Sequence, residues 1–484
     1  MQTQKQMDRR RPACGLRWWW AVWVGLLVGV GGQAWGEEAA GPNVVVVLID
    51  DMGWADLSCF GGEGAETVEI DRLASEGVRF TQFYVNAPIC SPSRCALLTG
   101  QYPARHRITS FLAERSYNED RGMAHWLALD APSLPRMFSQ AGYRTGHFGK
   151  WHLGGQRDVG EAPLVSEYGF DATLTNFEGL GPRLLPLLDA FDGSEPRRYA
   201  LGSDRLGRGP IVWMDRSRIT AGFVERSVEF IDASVAQGRP FYINVWPDDV
   251  HSPFFPPADL RGDGSKRARY LGVLEAMDAQ LGVLFDRIRN DPALRENTLV
   301  VLASDNGHEP GAGRGGPLRG HKGQLYEGGI RSPLIVWGPG YIAQDMAGGV
   351  NETTVLSSID VVASLIDWLE LPTPEGYAGD GEALADQLLG RSQTQRNGPL
   401  FWRRPPDRPG PEHDRHPDLA VRDGQWKLVC AFDGSDARLF DIDNDPGESD
   451  DVAAAHPAVV DRLKRAVLAW DAGLPTDAGN APGD

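Results

Sequence analysis

Cysteine is scarce in this chain, with only five residues in 484. Beyond residue 36, four remain: Cys59, Cys90, Cys95 and Cys430. Four cysteines over this length exclude a small protein held together mainly by disulfides. If Cys90 is used chemically, at most one disulfide can form among the other three, and the sequence does not select the pair.

Positive charge is also in short supply. The chain has 48 Lys and Arg against 66 Asp and Glu, a formal net charge of -18. This balance argues against a nucleic-acid or anionic-membrane partner, because no basic face is evident. It does not exclude an anionic substrate, since the local field of a cleft matters more than total charge. The length suits a large α/β core with a smaller second unit.

One long apolar run lies near the N-terminus, at residues 18–30. Four arginines precede it (Arg9, Arg10, Arg11 and Arg17), and Ala34-Trp35-Gly36 after it forms a small-x-small cleavage site. The pattern predicts a signal peptide over residues 1–36, and therefore a periplasmic or secreted protein. An uncleaved membrane anchor is the alternative, but the run is short for a span. After cleavage we expect no stable membrane insertion.

Apolar, β-branched runs typical of strands buried on both faces recur along the chain. They lie at Asn43–Ile49, 143–148, 240–246, 298–303 and 333–337. Amphipathic helical patterns separate them, among them 216–237 and Lys266–Arg289. The alternation predicts an α/β fold with a large mixed, mostly parallel sheet flanked by helices. Residues 155–214, rich in Gly, Pro and Arg, are predicted to form a long excursion over that sheet.

The character of the sequence changes after about Pro372. We predict a linker at 372–400, then short antiparallel strands at 418–422, Trp426–Cys430 and Arg438–Asp441, and a closing helix at 456–470. The predicted organisation is therefore a main domain over 37–371, followed by a linker and a smaller C-terminal sheet-plus-helix unit over 372–484.

Chemically versatile side chains follow four of the predicted strands, where sites of open α/β sheets lie. They are Asp50 and Asp51, Lys150 and His152, His251, and Asp305 and Asn306. Adjacent buried carboxylates require a cation, and Asp and Asn oxygens suit Ca²⁺ or Mg²⁺ better than zinc. For Asp50 and Asp51 taken alone, a solvated turn is the alternative.

The stretch from Cys90 to Gly100 combines a cysteine, Ser-Pro, an arginine and an apolar helical run. Pro92 is tolerated in a first helical turn, which places Cys90 at a helix N-terminus, where negative charge is favoured. Arg94, one turn later, lies on the same side. The pattern predicts a site that binds and attacks an anion, although a lone cysteine before a helix is more commonly a packing residue.

The pattern Cys90-x-Pro92-x-Arg94 followed by Leu98-Thr99-Gly100 resembles the signature of sulfatases. With the groups at the strand ends, the resemblance to these members of the alkaline-phosphatase-like superfamily extends from about residue 43 to 448. It implies that residues 37–371 are the catalytic domain and that Cys90 is converted to formylglycine by a maturation enzyme. It also implies one Ca²⁺ ion on Asp50, Asp51, residue 90, Asp305 and Asn306.

The resemblance further implies catalytic roles for Cys90, Arg94, Lys150, His152, His251 and Lys322. One hydroxyl of hydrated formylglycine attacks sulfur and the alcohol leaves, with His251 and Lys322 assisting its protonation. The second hydroxyl then loses its proton to His152 and sulfate is expelled. The expected substrate is a sulfate ester, of a carbohydrate or an aryl alcohol.

Two other functions are compatible with the same residues. One is a phosphonate monoester or phosphodiester hydrolase, which uses a similar formylglycine site. The other is a protein that binds sulfated glycans without catalysis.

Overall fold

The computed structural model describes residues 41–476. The predicted signal peptide at 1–36 lies outside them. The strands are β1 (Asn43–Ile49), β2 (Val78–Tyr84), β3 (Arg144–Gly149), β4 (Ala172–Thr175), β5 (Arg183–Leu188), β6 (Arg197–Arg198), β7 (Ile211–Asp215), β8 (Phe241–Trp246), β9 (Thr298–Ser304), β10 (Arg331–Trp337), β11 (Val350–Asn351), β12 (Leu356–Ser357), β13 (Leu400–Arg403), β14 (Leu419–Asp423), β15 (Trp426–Cys430) and β16 (Arg438–Asp441). The α-helices are α1 (Val68–Glu76), α2 (Cys90–Thr99), α3 (Arg115–Asp120), α4 (Leu134–Gln140), α5 (Ile219–Ala236), α6 (Lys266–Arg289), α7 (Pro292–Glu296), α8 (Glu327–Ile330), α9 (Ser358–Trp368), α10 (Ala385–Leu388) and α11 (Pro457–Ala472).

A large mixed sheet organises the main part of the chain. Its strand order is β11-β2-β10-β9-β1-β8-β3-β4-β5-β6, with β12 paired to β2 and β7 paired to β5. The central strands β9, β1, β8, β3 and β4 are parallel neighbours, whereas β10 is antiparallel to β9 and β2. The predicted mixed, mostly parallel sheet is therefore confirmed.

The central strand β1 shows why the sheet is covered on both faces. Side chains alternate along a strand, so successive residues enter opposite layers. Val44, Val46 and Leu48 pack into a core cluster that includes residues of α2, α4 and α9. Val45, Val47 and Ile49 pack into a second cluster that includes residues of α1, α5 and α6. A continuous apolar run is the sequence consequence of this double burial.

The C-terminal unit is an antiparallel sheet, β13-β14-β15-β16, covered by α11. The predicted sheet-plus-helix unit is confirmed, but β13 was not predicted, because residues up to 400 were assigned to the linker. Trp402 of β13 donates its indole N–H to the Val85 carbonyl at 2.7 Å, joining this sheet to the main one. A second link involves the buried Lys427 of β15, whose Nζ lies 2.9 Å from both Glu327 Oε1 and Glu448 Oε1.

The prediction for residues 155–214 was partly wrong. Instead of crossing the sheet only as loops, this segment forms β4, β5, β6 and β7 and extends the sheet beyond β3. Of these outer strands, β4 and β6 are short and β7 is only half-buried, whereas β5 carries a mostly buried apolar run. The turns between them nevertheless line part of a cavity that opens over Cys90.

Residues 41–476 contain neither a disulfide nor a helix suited to span a membrane. Cys59, Cys90, Cys95 and Cys430 are all free thiols, so none of the candidate disulfides is formed. None of the helices in this part of the chain combines the length and apolarity needed to cross a membrane.

Candidate active site

The carboxyl ends of β1 and β9 meet at a pair of buried acidic segments. Asp50 and Asp51 follow β1, and Asp305 follows β9; all three are fully buried. Asp51 has a φ of 62°, a left-handed conformation that Asp tolerates better than most residues. Its N–H donates to Asp305 Oδ1 at 3.1 Å, and the Asp305 N–H donates to the Ile49 carbonyl at 3.1 Å. The backbone thus fixes three carboxylates at one point.

Helix α2 brings the cysteine and arginine to these carboxylates. Cys90 is its first residue, and the Cys90 Sγ–H donates to Asp50 Oδ1 at 3.2 Å. Arg94 donates from Nε and Nη2 to Asp305 Oδ2, at 3.0 and 2.7 Å, and its Nη2 lies 3.3 Å from Asp50 Oδ1. Cys90 and Arg94 therefore share Asp50 as a partner, as expected for residues one turn apart.

Two lysines complete the cationic set. Lys150, directly after β3, places Nζ 2.7 Å from Asp50 Oδ2, and Lys322 places Nζ 2.6 Å from Asp51 Oδ2. Lys150 also contacts Glu178 Oε2 at 3.2 Å. The Arg94 guanidinium donates to the Lys150 carbonyl at 2.9 Å, so the helix and the end of β3 are locked together.

The two predicted histidines reach the site differently. His152 has a φ of 56°, so a tight turn positions its ring. Its Nε2 lies 2.9 Å from the Leu112 carbonyl and its Nδ1 lies 3.2 Å from Glu178 Oε2. His251, after β8, is about one-third exposed; its Nδ1 lies 2.7 Å from the Ser252 carbonyl and its Nε2 3.7 Å from Asp51 Oδ2.

Burial and close charges set the protonation of the site. Burial raises the pKa of Asp50, but Lys150, His251 and Arg94 outweigh it and hold that pKa well below its usual range. Burial and then the Asp50 charge raise the pKa of Asp305 to about 7, against the effect of Arg94. Burial and, to a smaller extent, the negative charge of Asp50 raise the pKa of the Cys90 thiol well above its usual range. The unmodified thiol is therefore protonated and a poor nucleophile.

The acidic residues fit a hard cation. One potential ligand atom each from Asp50, Asp51, Cys90 and Asp305 lies within 4.8 Å of the others. Asn306 donates from Nδ2 to Asp51 Oδ1 at 2.8 Å, while its buried Oδ1 has no hydrogen-bond partner within residues 41–476. Convergent carboxylate oxygens with a spare amide oxygen are the ligands that Ca²⁺ or Mg²⁺ prefers.

A cavity of about 240 Å³ opens over Cys90. His152, His251 and Lys322 line it, and so do residues that the sequence did not single out: Phe111, Arg157, Phe177, Glu178, Tyr199, Arg216, Asp248 and Arg408. Glu178 and Arg408 were missed because each stands in a segment without periodicity or motif. Their proximity to Cys90 depends wholly on the tertiary fold.

Arg408 shows that the C-terminal part of the chain contributes to this cavity. The preceding Asp407 accepts hydrogen bonds from Ser110 Oγ at 2.6 Å and from the Tyr117 hydroxyl at 3.2 Å, and it contacts Arg121 at 3.4 Å. These contacts hold the segment against the wall of the cavity and place Arg408 on its rim.

Residues 42–371, more than half of the chain, match the family Sulfatase. The chain belongs to the sulfatase family. It is 31% identical over 474 residues to arylsulfatase A of Homo sapiens, covering 88% of this chain and 87% of that one. It is also 31% identical over 385 residues to N-acetylgalactosamine-6-sulfatase of Canis lupus familiaris, covering 77% and 71%. These relationships identify it as a sulfuric ester hydrolase.

Solved structures share the fold of this sulfatase. Ps i-CgsB in complex with k-i-k-neocarrahexaose superposes with a TM-score of 0.72 at 23% identity, covering 89% of this chain and 92% of that one. The phosphonate monoester hydrolase of Agrobacterium radiobacter superposes with a TM-score of 0.60 at 20% identity, covering 91% and 97%. At these identities the likeness concerns the fold.

The fold of this sulfatase brings together all ten residues named from the sequence. Asp50, Asp51, Cys90, Arg94, Lys150, Asp305, Asn306 and Lys322 form one buried network of direct contacts. His251 contacts this network through Asp51, and His152 joins it through Glu178 and Lys150.

Proposed function

We propose that this sulfatase hydrolyses a sulfate ester through a formylglycine formed from Cys90, with one bound Ca²⁺ ion. The main support is the state of Cys90 itself. Its thiol is buried and donates to Asp50 at 3.2 Å, and burial and the Asp50 charge raise its pKa well above the usual range, which disfavours a thiolate nucleophile. The cations Arg94, Lys150 and Lys322 around it suit an anionic substrate. The hydrated aldehyde supplies two hydroxyls on one carbon, one for attack on sulfur and one for release of sulfate.

The side chains around residue 90 then have distinct tasks. Lys150 and Lys322 offer N–H donors to sulfate oxygens, which neutralises the repulsion between an anion and its attacker. Arg94, fixed by Asp305 and Asp50, steadies residue 90. His251 lies at the more open part of the cavity; because its Nδ1 is bonded to the Ser252 carbonyl, its Nε2 is the atom that can donate a proton to the leaving alcohol.

Asp50, Asp51, Asp305, Asn306 and residue 90 would hold the Ca²⁺ ion. We expect Ca²⁺ at about 100-fold its Kd to stabilise the protein by about 2.7 kcal/mol, because the ion binds only the folded state. Thermal unfolding with and without Ca²⁺ measures this. Asn306→Ala, which removes the unpartnered amide oxygen, should weaken the stabilisation, whereas the exposed Asp232→Asn should leave it unchanged. Equal stabilisation of wild type and Asn306→Ala would contradict the assigned ligand.

We further propose a sulfated carbohydrate as the substrate. The cavity places aromatic faces, Phe111, Phe177 and Tyr199, beside the cations Arg157 and Arg408. Such a surface suits a sugar ring bearing negative charge, and an aryl sulfate fits the same walls. The names of the canine relative and of the carrahexaose-bound structural neighbour, both concerning carbohydrates, support the same substrate class.

The leader at 1–36 supports export to the periplasm or the medium. Folding limits when Cys90 can be converted, because Ser91, Pro92, Ser93 and Arg94 are all buried along with it. A maturation enzyme therefore has to reach this segment before the chain folds.

The deciding measurement is turnover by protein coexpressed with a formylglycine-generating enzyme. We expect sulfate release from at least one member of a panel of sulfated glycans and 4-nitrophenyl sulfate. We also expect kcat/KM on the best sulfate ester to exceed that on phosphate diesters and phosphonate monoesters by about 100-fold or more. The reverse preference would favour the phosphonate or phosphodiester hydrolase. Glycan binding without any sulfate release, by protein shown to carry formylglycine, would favour a non-catalytic binder.

A further inference from the structure

The hydrogen bonds of His152 restrict where its ring can take up a proton. Nε2 lies 2.9 Å from the Leu112 carbonyl, and a carbonyl oxygen only accepts. Nε2 therefore carries a hydrogen permanently. Proton uptake is left to Nδ1, the nitrogen on the side of Glu178.

Glu178 faces this nitrogen with an oxygen that also needs a hydrogen. Nδ1 of His152 and Oε2 of Glu178 are 3.2 Å apart, and their side chains are only 6% and 10% exposed. Neither atom has a hydrogen-bond partner within residues 41–476, although Oε2 has an ion-pair contact with Lys150 at 3.2 Å. A lone pair facing a buried carboxylate oxygen is repulsive, and one proton between them turns the contact into a strong hydrogen bond.

The backbone holds the two residues in this relation. The His152 N–H donates to the Glu178 carbonyl at 2.8 Å, and the Glu178 N–H donates to Asn176 Oδ1 at 3.1 Å. Asn176 in turn donates to the buried Asp248 at 2.9 Å. The backbones of the two residues therefore stay adjacent, and the turn after β4 brings their side chains to the same place.

We propose that His152 and Glu178 share one proton and act together as the acid–base unit for sulfate release. This inference rests on the proposed function. The pair with its proton is the resting form, and loss of that proton to solvent gives the base form. In catalysis the O–H bond of a hydroxyl on residue 90 breaks and the proton bonds to Nδ1 or Oε2. The proton then leaves through the open cavity, which restores the base form.

Other charges around the pair bear on its protonation. Those that face it are Lys150 at the end of β3, Arg94 and Asp50 behind Lys150, Arg157 and Tyr199 on the cavity wall, and Arg216 with Asp248 beneath Asn176. Burial lowers the pKa of His152, and Lys150 and Arg94 lower it further. The hydrogen bond to Leu112 and the Asp50 charge oppose this lowering, and the Glu178 carboxylate in contact with Nδ1 offers an acceptor for a proton there.

The proton itself can be observed without turnover. In wild-type protein labelled with ¹⁵N at its histidines, the Nδ1···Oε2 hydrogen bond should give a far-downfield proton resonance. The ¹⁵N chemical shift of Nδ1 should change with pH as the pair loses its proton. His152→Gln assigns the signals. In Glu178→Gln the downfield resonance should disappear, and Nδ1 should accept from the new amide and take up a proton only at lower pH than in wild type. A wild-type Nδ1 that shows neither this resonance nor any titration between pH 5 and 9 would overturn the proposal.

Kinetics on converted protein give an independent test. Because the pair serves release and not the first attack, Glu178→Gln should lower kcat by about 10- to 100-fold while kcat/KM changes much less. Alcohol release should then run ahead of sulfate release in the first turnover. The acidic limb of the kcat profile should move to lower pH, since loss of the carboxylate makes His152 a weaker base. A fall in kcat/KM alone, or an unshifted pH profile, would overturn the proposal.

The matched control is Glu114→Gln. Glu114 pairs with Arg157 at 3.2 Å near the same cavity and is about half exposed, so this variant removes one negative charge without touching His152. We expect its kcat, pH profile and downfield spectrum to match wild type. If wild type itself releases no sulfate, the proposed function fails; if wild type is active and Glu178→Gln equals it in every respect, only the present inference fails.

Discussion

Replacing Cys90 with alanine is expected to abolish sulfate release, lowering kcat/KM by about 10⁴-fold or more. Removal of a covalent nucleophile typically has effects of this size. The remaining cations would still bind a sulfate ester, so substrate affinity should persist while turnover is lost. Binding by calorimetry and sulfate release by ion chromatography separate these two effects.

Cys95 provides a matched control for Cys90. It lies about one and a half turns further along α2 and is also fully buried, but it packs in the hydrophobic core and is not part of the cavity wall. Cys95→Ala should keep wild-type kcat/KM and lose only about 1 kcal/mol of unfolding free energy. Mass spectrometry of the peptide over Cys90 should show conversion in wild type and Cys95→Ala. Activity of Cys90→Ala comparable to wild type would refute the assigned nucleophile.

Replacing Arg94 with alanine is expected to have the largest effect on stability. Its guanidinium is fully buried and pairs with Asp305 and Asp50. Its loss leaves the buried Asp305 without a cationic partner among residues 41–476, although Asp50 keeps Lys150 at 2.7 Å. We expect the free energy of unfolding to fall by about 3–5 kcal/mol. Activity should fall by about 10³-fold, because residue 90 loses its anchor. Urea unfolding and steady-state kinetics measure the two effects.

The pattern across Arg94 variants distinguishes lost charge from lost geometry. Arg94→Lys retains one positive charge but cannot make two bonds to Asp305, so its stability should recover more than its activity. Arg226→Ala removes an exposed arginine whose ion-pair partner within residues 41–476 is the exposed Glu229, and it should change the unfolding free energy by less than about 0.5 kcal/mol. An Arg94→Ala protein as stable as Arg226→Ala would show that Arg94 does not neutralise the buried acids.

The central strands and long helices could be predicted because their sequence signals are local. Double burial gives β1 and β9 continuous apolar runs, and Ser265 marks the start of α6 by accepting from the Ala268 N–H. The strands β4, β6 and β7 carry no such signal, and the apolar run of β5 is interrupted by Pro186. Their pairing depends on β3 and its neighbours being in place, which no local window of sequence contains.

The candidate site divides in the same way. Asp50, Asp305 and Lys150 were predictable because each directly follows a strand of the parallel sheet. The left-handed turn at His152 and its contact with Glu178 were not, because both depend on a turn that is 26 residues further along the chain. Arg408 belongs to the C-terminal part of the chain and is held at the cavity by the contacts of Asp407. No strand or helix pattern in the sequence indicates its position.

The buried Lys427 has a consequence for how the two sheets lose their structure. It lies on the C-terminal β15, yet one of its carboxylate partners, Glu327, belongs to the short helix α8 just after Lys322. Detaching the C-terminal sheet would leave Glu327 buried beside Arg331 without its lysine. Such a step is costly, so partial opening is disfavoured and both sheets should melt cooperatively in a single transition. In a chain cut near residue 372, Glu327 would keep Arg331 but lose its shorter ion pair with Lys427, so we expect such a chain to be less stable than the whole protein.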